Sequence, residues 1–277
     1  MRQRASAAGR DIGATRLAAA ETTSRDVCGG SPEGRLSHSR VSGFGFAAAE
    51  GEATAAPYDE THRTGASRFS RSSEASAAAG LQTKVLPLVG GETVLGVGSG
   101  NCRDEVYYAE QAQGVCCHAV DISSEARSNA KRLIAHAGCE DSVIVHANVR
   151  ELLEMQFDRT TSVSLDHLLS DRELRELMRL RFDLLRPGGW AIIAVKTADS
   201  ITPRPVSGGT VVQGQGFTLH KGIKRYTRES PGSYISAMRV VGFRVDGIHE
   251  VKERFDAKGT QSFAVIFGQK PGHDHRE

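Results

Sequence analysis

Nowhere in the 277 residues do apolar side chains run for the roughly 18 positions that a membrane-spanning helix needs. No short apolar core follows the leading arginines either, as a secretory signal requires. No membrane partner is expected, and the expected compartment is intracellular, cytoplasmic first. Charge of one sign is missing as well. Lys and Arg number 35 against 33 Asp and Glu, a formal +2 with a pI near 8.3, and aromatics make up only 6%. With no stripe of basic and aromatic residues in the core, that balance argues against a nucleic-acid partner. Cysteine is scarce and badly spaced for metal. Cys28, Cys102, Cys116, Cys117 and Cys139 contain no CxxC pair, and neighbours on a strand such as Cys116 and Cys117 point to opposite faces. Reduced thiols are expected, with no metal site. His273 and His275 lie in a polar terminus, 272–277, and read as solvated.

Residues 1–79 lack an apolar period. Ala, Ser, Gly, Arg and Thr dominate, and Leu17, Val27, Leu36, Val41, Phe44, Phe46, Tyr58 and Phe69 are scattered among them. Such a stretch cannot bury enough apolar surface to offset an ordering cost of roughly 1–2 kcal/mol per residue, so a mostly disordered tail is expected, with a helix docking from Tyr58 onward as the exception. Arg2, Arg4, Arg10, Arg16 and Arg25 give the first part the style of an organelle transit peptide, against which Asp11 and Glu21 count. The folded unit is expected over 80–271.

What is present begins at Glu92. The stretch ETVLGVGSGNCRDEVYYAEQAQGVCCHAVD, 92–121, reads as strand, glycine turn, helix and second strand, with Asp121 placed where a carboxylate meets a ribose diol. A dinucleotide fingerprint is not met. Counting G-x-G-x-x-G from Gly96 ends on Asn101, and from Gly98 on Arg103. Beyond this unit strand and helix patterns alternate, which predicts a doubly wound, mostly parallel sheet covered on both faces. Strands are expected at 116–120, 142–146, 157–164 and 190–195. Helices are expected at 123–137, from the capping box Ser170/Glu173, and at 230–241. Arg186-Pro187-Gly188-Gly189 is expected to break the helix before 190–195, and 203–216 to be a long loop. A short link between 243–248 and 262–269 predicts a terminal antiparallel hairpin.

Together these segments resemble the class I S-adenosylmethionine-dependent methyltransferases, over 81–271. Within them the chain looks most like the small-molecule enzymes of the tellurite-resistance and thiopurine type. The stretches that carry the resemblance are GSGNCRDEVYYAEQ, AVDISSEARSNAKRL, NVRELLEMQFD, SVSLDHLLSD, LLRPGGW and FTLHKGIKRYT. The resemblance implies a seven-stranded sheet ending in the antiparallel hairpin, and S-adenosylmethionine as cofactor. It sets Gly98, Ser99 and Gly100 against the methionine part, Asp121 on the ribose hydroxyls, Ile122 on the adenine, Asn148 and Val149 at the adenine edge, and Ser162 and Val163 beside the sulfonium and the substrate. The chain departs from the family pattern at three positions: an acid is usual where Gly96 stands, a third glycine where Cys102 stands, and an Asp where Asn148 stands.

Methyl transfer from a sulfonium mainly requires donor and acceptor to be held in line, so no triad or metal is required. Two side chains beyond the donor motifs are candidates. His167, after the fourth strand, can take a proton from a hydroxyl, amine or thiol acceptor, or it helps cap the next helix. Arg103 can orient an anionic substrate or the cofactor carboxylate. His220, Lys221, Arg225 and Tyr226 are candidates for the substrate side, or lie on an exposed hairpin. The expected reaction is methyl transfer to a small-molecule S, N, O or chalcogen nucleophile. The rivals are a non-catalytic module of the same fold and a nucleotide-dependent oxidoreductase.

Overall fold

Apolar runs that are buried on both faces become parallel strands here, and the periodic segments between them become covering helices. The computed structural model describes residues 48–63, 74–196, 212–214, 217–220, 223–226, 228, 230–255 and 259–272. Strands β1 (Thr93–Val97) and β2 (Cys116–Val120) fall where the apolar runs put them, and β3 (Val143–His146) and β4 (Phe157–Val163) within a residue of expectation. Then follow β5 (Leu185–Lys196), β6 (Val212–Gly214), β7 (Phe217–His220), β8 (Ile223–Tyr226), β9 (Arg244–Phe255) and β10 (Gly259–Gln269). The helices are α1 (Ala48–Arg63), α2 (Ala77–Val85), α3 (Arg103–Gln111), α4 (Ser124–Ala137), α5 (Asp171–Leu184) and α6 (Gly232–Val241).

Seven strands form one sheet in the order β3-β2-β1-β4-β5-β10-β9. β3 to β5 in that order are parallel, and β10 runs antiparallel to both β5 and β9, the terminal hairpin that the short link predicted. Alternation along β1 sends Val94 into a cluster with Val106 of α3 and Ala130 and Ile134 of α4. Leu95 enters the opposite cluster, with Leu174, Leu177 and Met178 of α5 and Met238 of α6. Ala78 and Leu81 of α2 pack on Ile192, Phe263 and Val265. The sheet is thus covered on both faces, with α2, α3 and α4 on one and α5 and α6 on the other.

Several expectations shift. The Arg186-Pro187-Gly188-Gly189 segment lies inside β5, because Leu185 pairs with Phe157 and an irregularity between Phe157 and Arg159 absorbs the turn, with Gly188 at φ +83°. β9 and β10 extend well beyond 243–248 and 262–269, since the hairpin pairs continuously out to Gly259 and Phe255. β6, β7 and β8 form a separate antiparallel sheet that includes His220, Arg225 and Tyr226. A helix from Tyr58 onward is present but begins ten residues earlier, at Ala48. Cys116 is disulfide-bonded, so the expectation of reduced thiols fails there, whereas Cys102, Cys117 and Cys139 are free. Residues 1–47, most of the 203–216 loop, Lys221, His273 and His275 lie outside the described residues. Among the described residues no helix is long and apolar enough to cross a membrane.

Candidate active site

The strand order reverses between β1 and β4, and at such a switch point the loops leaving the carboxyl ends of the strands diverge and open a crevice. Val97 of β1 pairs with Val120 of β2, and Gly96 with Thr161 of β4, so the turns after these three strands lie side by side. The first is the glycine turn. Gly98 and Gly100 adopt φ +70° and +58°, where a Cβ is strained, and the N–H groups of Gly98 and Ser99 both donate to the carbonyl of Val120 at 2.8 and 3.1 Å. Cys102, which stands where a third glycine is usual, takes the same left-handed conformation at φ +61° and opens α3.

Asp121 closes the first side of the crevice. Its Oδ2 accepts from the Gly100 N–H at 2.8 Å and its Oδ1 from the Ser123 N–H at 2.9 Å. An ionised carboxylate has about four acceptor sites, so this clamp leaves one on each oxygen, in the arrangement a vicinal diol requires. Asp121 is not the helix cap. Ser123 does that work, accepting from the Ala126 N–H at 3.0 Å. Burial pushes the Asp121 pKa up, against the pull of the backbone donors Ser123 and Gly100, of His62 and of Arg127. Ile122 is 40% exposed next to it, an apolar side chain free to take a flat ring. Asn148 caps the 3-10 turn Val149–Leu152, and its amide oxygen accepts from the Arg150 N–H at 2.9 Å, so the oxygen expected to serve the adenine already has one partner. Val149 packs against the large core cluster.

The turn after β4 forms the other wall. Leu165 leans across the glycine turn, its Cδ1 and Cδ2 each 3.1 Å from where a Cβ on Gly98 would be. The Ser162 hydroxyl, instead of facing open space, donates to Asp166 Oδ2 at 2.5 Å. Asp166 in turn lies 3.2 Å from the Arg181 guanidinium, both groups fully buried. Arg228 donates to the carbonyls of Asp166 and Leu169 and pairs with Asp171. His167 is 2% exposed within the turn Asp166–Leu168. The next helix is capped by Ser170 and Glu173 and not by His167.

Arg103 departs from expectation. Its guanidinium pairs with Glu253 of β9 at 2.9 Å and approaches Asp104 at 3.8 Å, so it links α3 to the terminal hairpin. Three groups at the crevice were not foreseen. Asp59 and His62 come from α1, which packs on α4. Asp59 Oδ1 accepts from the Ser123 hydroxyl at 2.6 Å and from the Glu125 N–H at 3.2 Å, while His62 Cε1 stands 3.7 Å from a Cβ position on Gly100 and its ring interacts with the Asp121 carboxylate. Burial lowers the His62 pKa, although Asp121, Asp59 and Glu125 all pull it upward. The third is Glu105, 4% exposed behind the glycine turn. Its only signal in the sequence is an acid in the first turn of α3, close behind a glycine at a position where the family carries an acid.

Residues 94–189 match the family described as a methyltransferase domain. No curated protein matches. Solved structures share the fold at low identity. One, from work on the conversion of a disulfide bond into a thioacetal group during echinomycin biosynthesis, is 16% identical with a TM-score of 0.60, over 80% of this chain and 93% of that one. The 1,6-didemethyltoxoflavin-N1-methyltransferase of Burkholderia thailandensis, with bound 1,6-didemethyltoxoflavin and S-adenosylhomocysteine, is 19% identical with a TM-score of 0.58, over 81% and 91%. An S-adenosylmethionine-dependent methyltransferase of Mesorhizobium loti is 18% identical with a TM-score of 0.51, over 70% and 98%. Over 94–189 the chain thus matches a methyltransferase domain, and its strand order is the fold it shares with S-adenosylmethionine-dependent methyltransferases of solved structure.

Proposed function

We propose that the chain methylates a small-molecule S, N, O or chalcogen nucleophile by direct displacement, in the manner of the tellurite-resistance and thiopurine type. The observation that carries the donor site is the Asp121 carboxylate, clamped by the Gly100 and Ser123 N–H groups at a strand-order switch with an acceptor site spare on each oxygen. The residues present fit the cofactor. Gly98, Ser99 and Gly100 would carry its methionine part, Asp121 its ribose, Ile122 with Asn148 and Val149 its adenine, and Ser162 and Val163 would border the reacting end. Arg103 is left out of this set because Glu253 holds it. A small-molecule acceptor is supported by the didemethyltoxoflavin bound in a protein of the same fold.

The bound cofactor supplies a methyl group already activated on a sulfonium. The protein's task is to align, and alignment alone can contribute about 7–11 kcal/mol. Leu165 against Gly98 closes the wall between donor and acceptor sides, and the buried Asp166–Arg181 pair holds that wall in place. For a hydroxyl or amine acceptor we assign the proton to His167; a thiolate needs no base.

Calorimetry with S-adenosylhomocysteine tests the donor site. Removing a carboxylate that accepts two charge-assisted bonds is expected to cost about 1.5–3 kcal/mol per bond, so Asp121→Ala should weaken binding by at least about tenfold. Unchanged affinity would show that the ribose lies elsewhere. His167→Ala should lower kcat for amine or hydroxyl acceptors while leaving the affinity for S-adenosylhomocysteine intact.

A further inference from the structure

Gly96 lies within β1, inside the sheet, yet the space beside it is full. A Cβ built there would lie 2.0 Å from Glu105 Oε1 and 2.8 Å from its Cδ, with Ser99 Oγ at 2.7 Å. Glu105 reaches back from the first turn of α3, is 4% exposed, and its Oε2 has no hydrogen-bond partner among the described residues. A buried carboxyl left in this state costs free energy unless a partner arrives. Apart from the Ser99 hydroxyl and its own backbone N–H, the groups that face it bring no partner: Asp104 from its own helix, Asp121 from the end of β2, and the neutral Cys102, Cys117 and Tyr108. The neighbouring cation, Arg103, is committed to Glu253 and Asp104. Among the described residues, the charged groups that act on the chamber behind the glycine turn are therefore acidic, with no positive charge set against Glu105.

We propose that Glu105 is a positioning residue of the donor site: its carboxyl, entering through the gap that Gly96 leaves in β1, anchors the glycine turn and, once ionised, balances the ammonium at the methionine end of the cofactor. The proposal rests on the donor site described above. Burial, reinforced by Asp104, raises the Glu105 pKa to about 8, with Asp121 adding to the rise, while its own backbone N–H and the Ser99 hydroxyl pull it down. Near neutral pH the empty enzyme then holds the carboxylic acid. When the ammonium arrives the O–H bond breaks, the electron pair stays on the carboxylate, and the proton leaves to the buffer. Cofactor binding is thereby coupled to proton release.

Calorimetry with S-adenosylhomocysteine, which keeps the ammonium but lacks the sulfonium, measures that proton directly when repeated in phosphate and Tris buffers. For the wild type, more than half a proton should be released at pH 7, and affinity should rise roughly tenfold from pH 6.5 to 8. Glu105→Gln should release at least half a proton less, bind about tenfold more weakly at pH 8, and show a flat profile. A transposed pair gives a second readout. Gly96→Asp alone collides with Glu105 and should abolish binding, Glu105→Ala alone should weaken it, and the double variant should bind better than Glu105→Ala. A wild type that binds with a proton count and pH profile matching Glu105→Gln, or a double variant no better than Glu105→Ala, overturns the role of Glu105 alone. A wild type that does not bind S-adenosylhomocysteine overturns the donor site with it.

Discussion

Arg181 shows what an apolar pattern leaves unread at a single residue. It falls on the apolar face of α5, in step with Leu174, Leu177, Met178 and Leu184, and a charge in that stripe marks either a fault in the helix or a partner waiting inside. The partner is Asp166, and the pair is sealed from solvent at 3.2 Å. Breaking such a pair from one side leaves an uncompensated buried charge, so Arg181→Met should destabilise the protein by about 3–5 kcal/mol in urea unfolding. Adding Asp166→Asn should recover most of that loss, because the pair itself contributes little net stability. Glu105 gives a second expectation at this scale. Its folded pKa of about 8 lies above the ordinary 4.5, so between those values the folded chain keeps a proton that the unfolded chain has released. Stability due to this group is full below about pH 4.5 and falls as pH rises toward 8. The melting temperature of Glu105→Gln should decline less over that interval than the wild type's.

Elements were legible where a run of residues carried its own signal. β1 and β2 match the apolar runs residue for residue, and the capping box at Ser170 and Glu173 fixed the start of α5. β4 was readable from its Thr-Thr-Ser-Val content despite weak hydrophobicity, because Thr160, Thr161 and Ser162 suit a pleated strand and are buried in it. The glycine turn and the acid that closes on it, Asp121, were legible as local geometry, because both are fixed by a short stretch of chain. What sequence did not reveal came from tertiary pairing. The partner of Arg103 lies on β9, 150 residues away, and Asp59 meets Ser123 across 64. Asp59 fastens α1 to the α4 N-terminus, and although burial pushes its pKa up, hydrogen bonds from Ser123, Glu125 and Ser124 hold it below the usual carboxylate range. Asp59→Ala should therefore raise hydrogen exchange across Ala48–Arg63 while leaving α4, which keeps its own Ser123 cap, protected.

Across the whole molecule, the parallel sheet supplies rigidity and the loops at one edge supply chemistry. A ligand that binds only the folded state stabilises it by about 2.7 kcal/mol at a hundred times its Kd. For a domain of this size that corresponds to a rise in Tm of roughly 5–10 °C with S-adenosylhomocysteine. NADH should produce no shift, and a shift with NADH instead would favour the oxidoreductase that a glycine turn and a strand-end acid also permit. The position of α1 bears on turnover as well. His62 stands beside Asp121 and Asp59 is fastened to the next helix, so on the proposed donor site α1 would have to loosen before a spent nucleoside could leave. Departure of product, and not bond-making, would then be the slow event, and rapid-mixing kinetics should show a burst of methylated acceptor ahead of the steady state, a burst that Asp59→Ala shortens or erases.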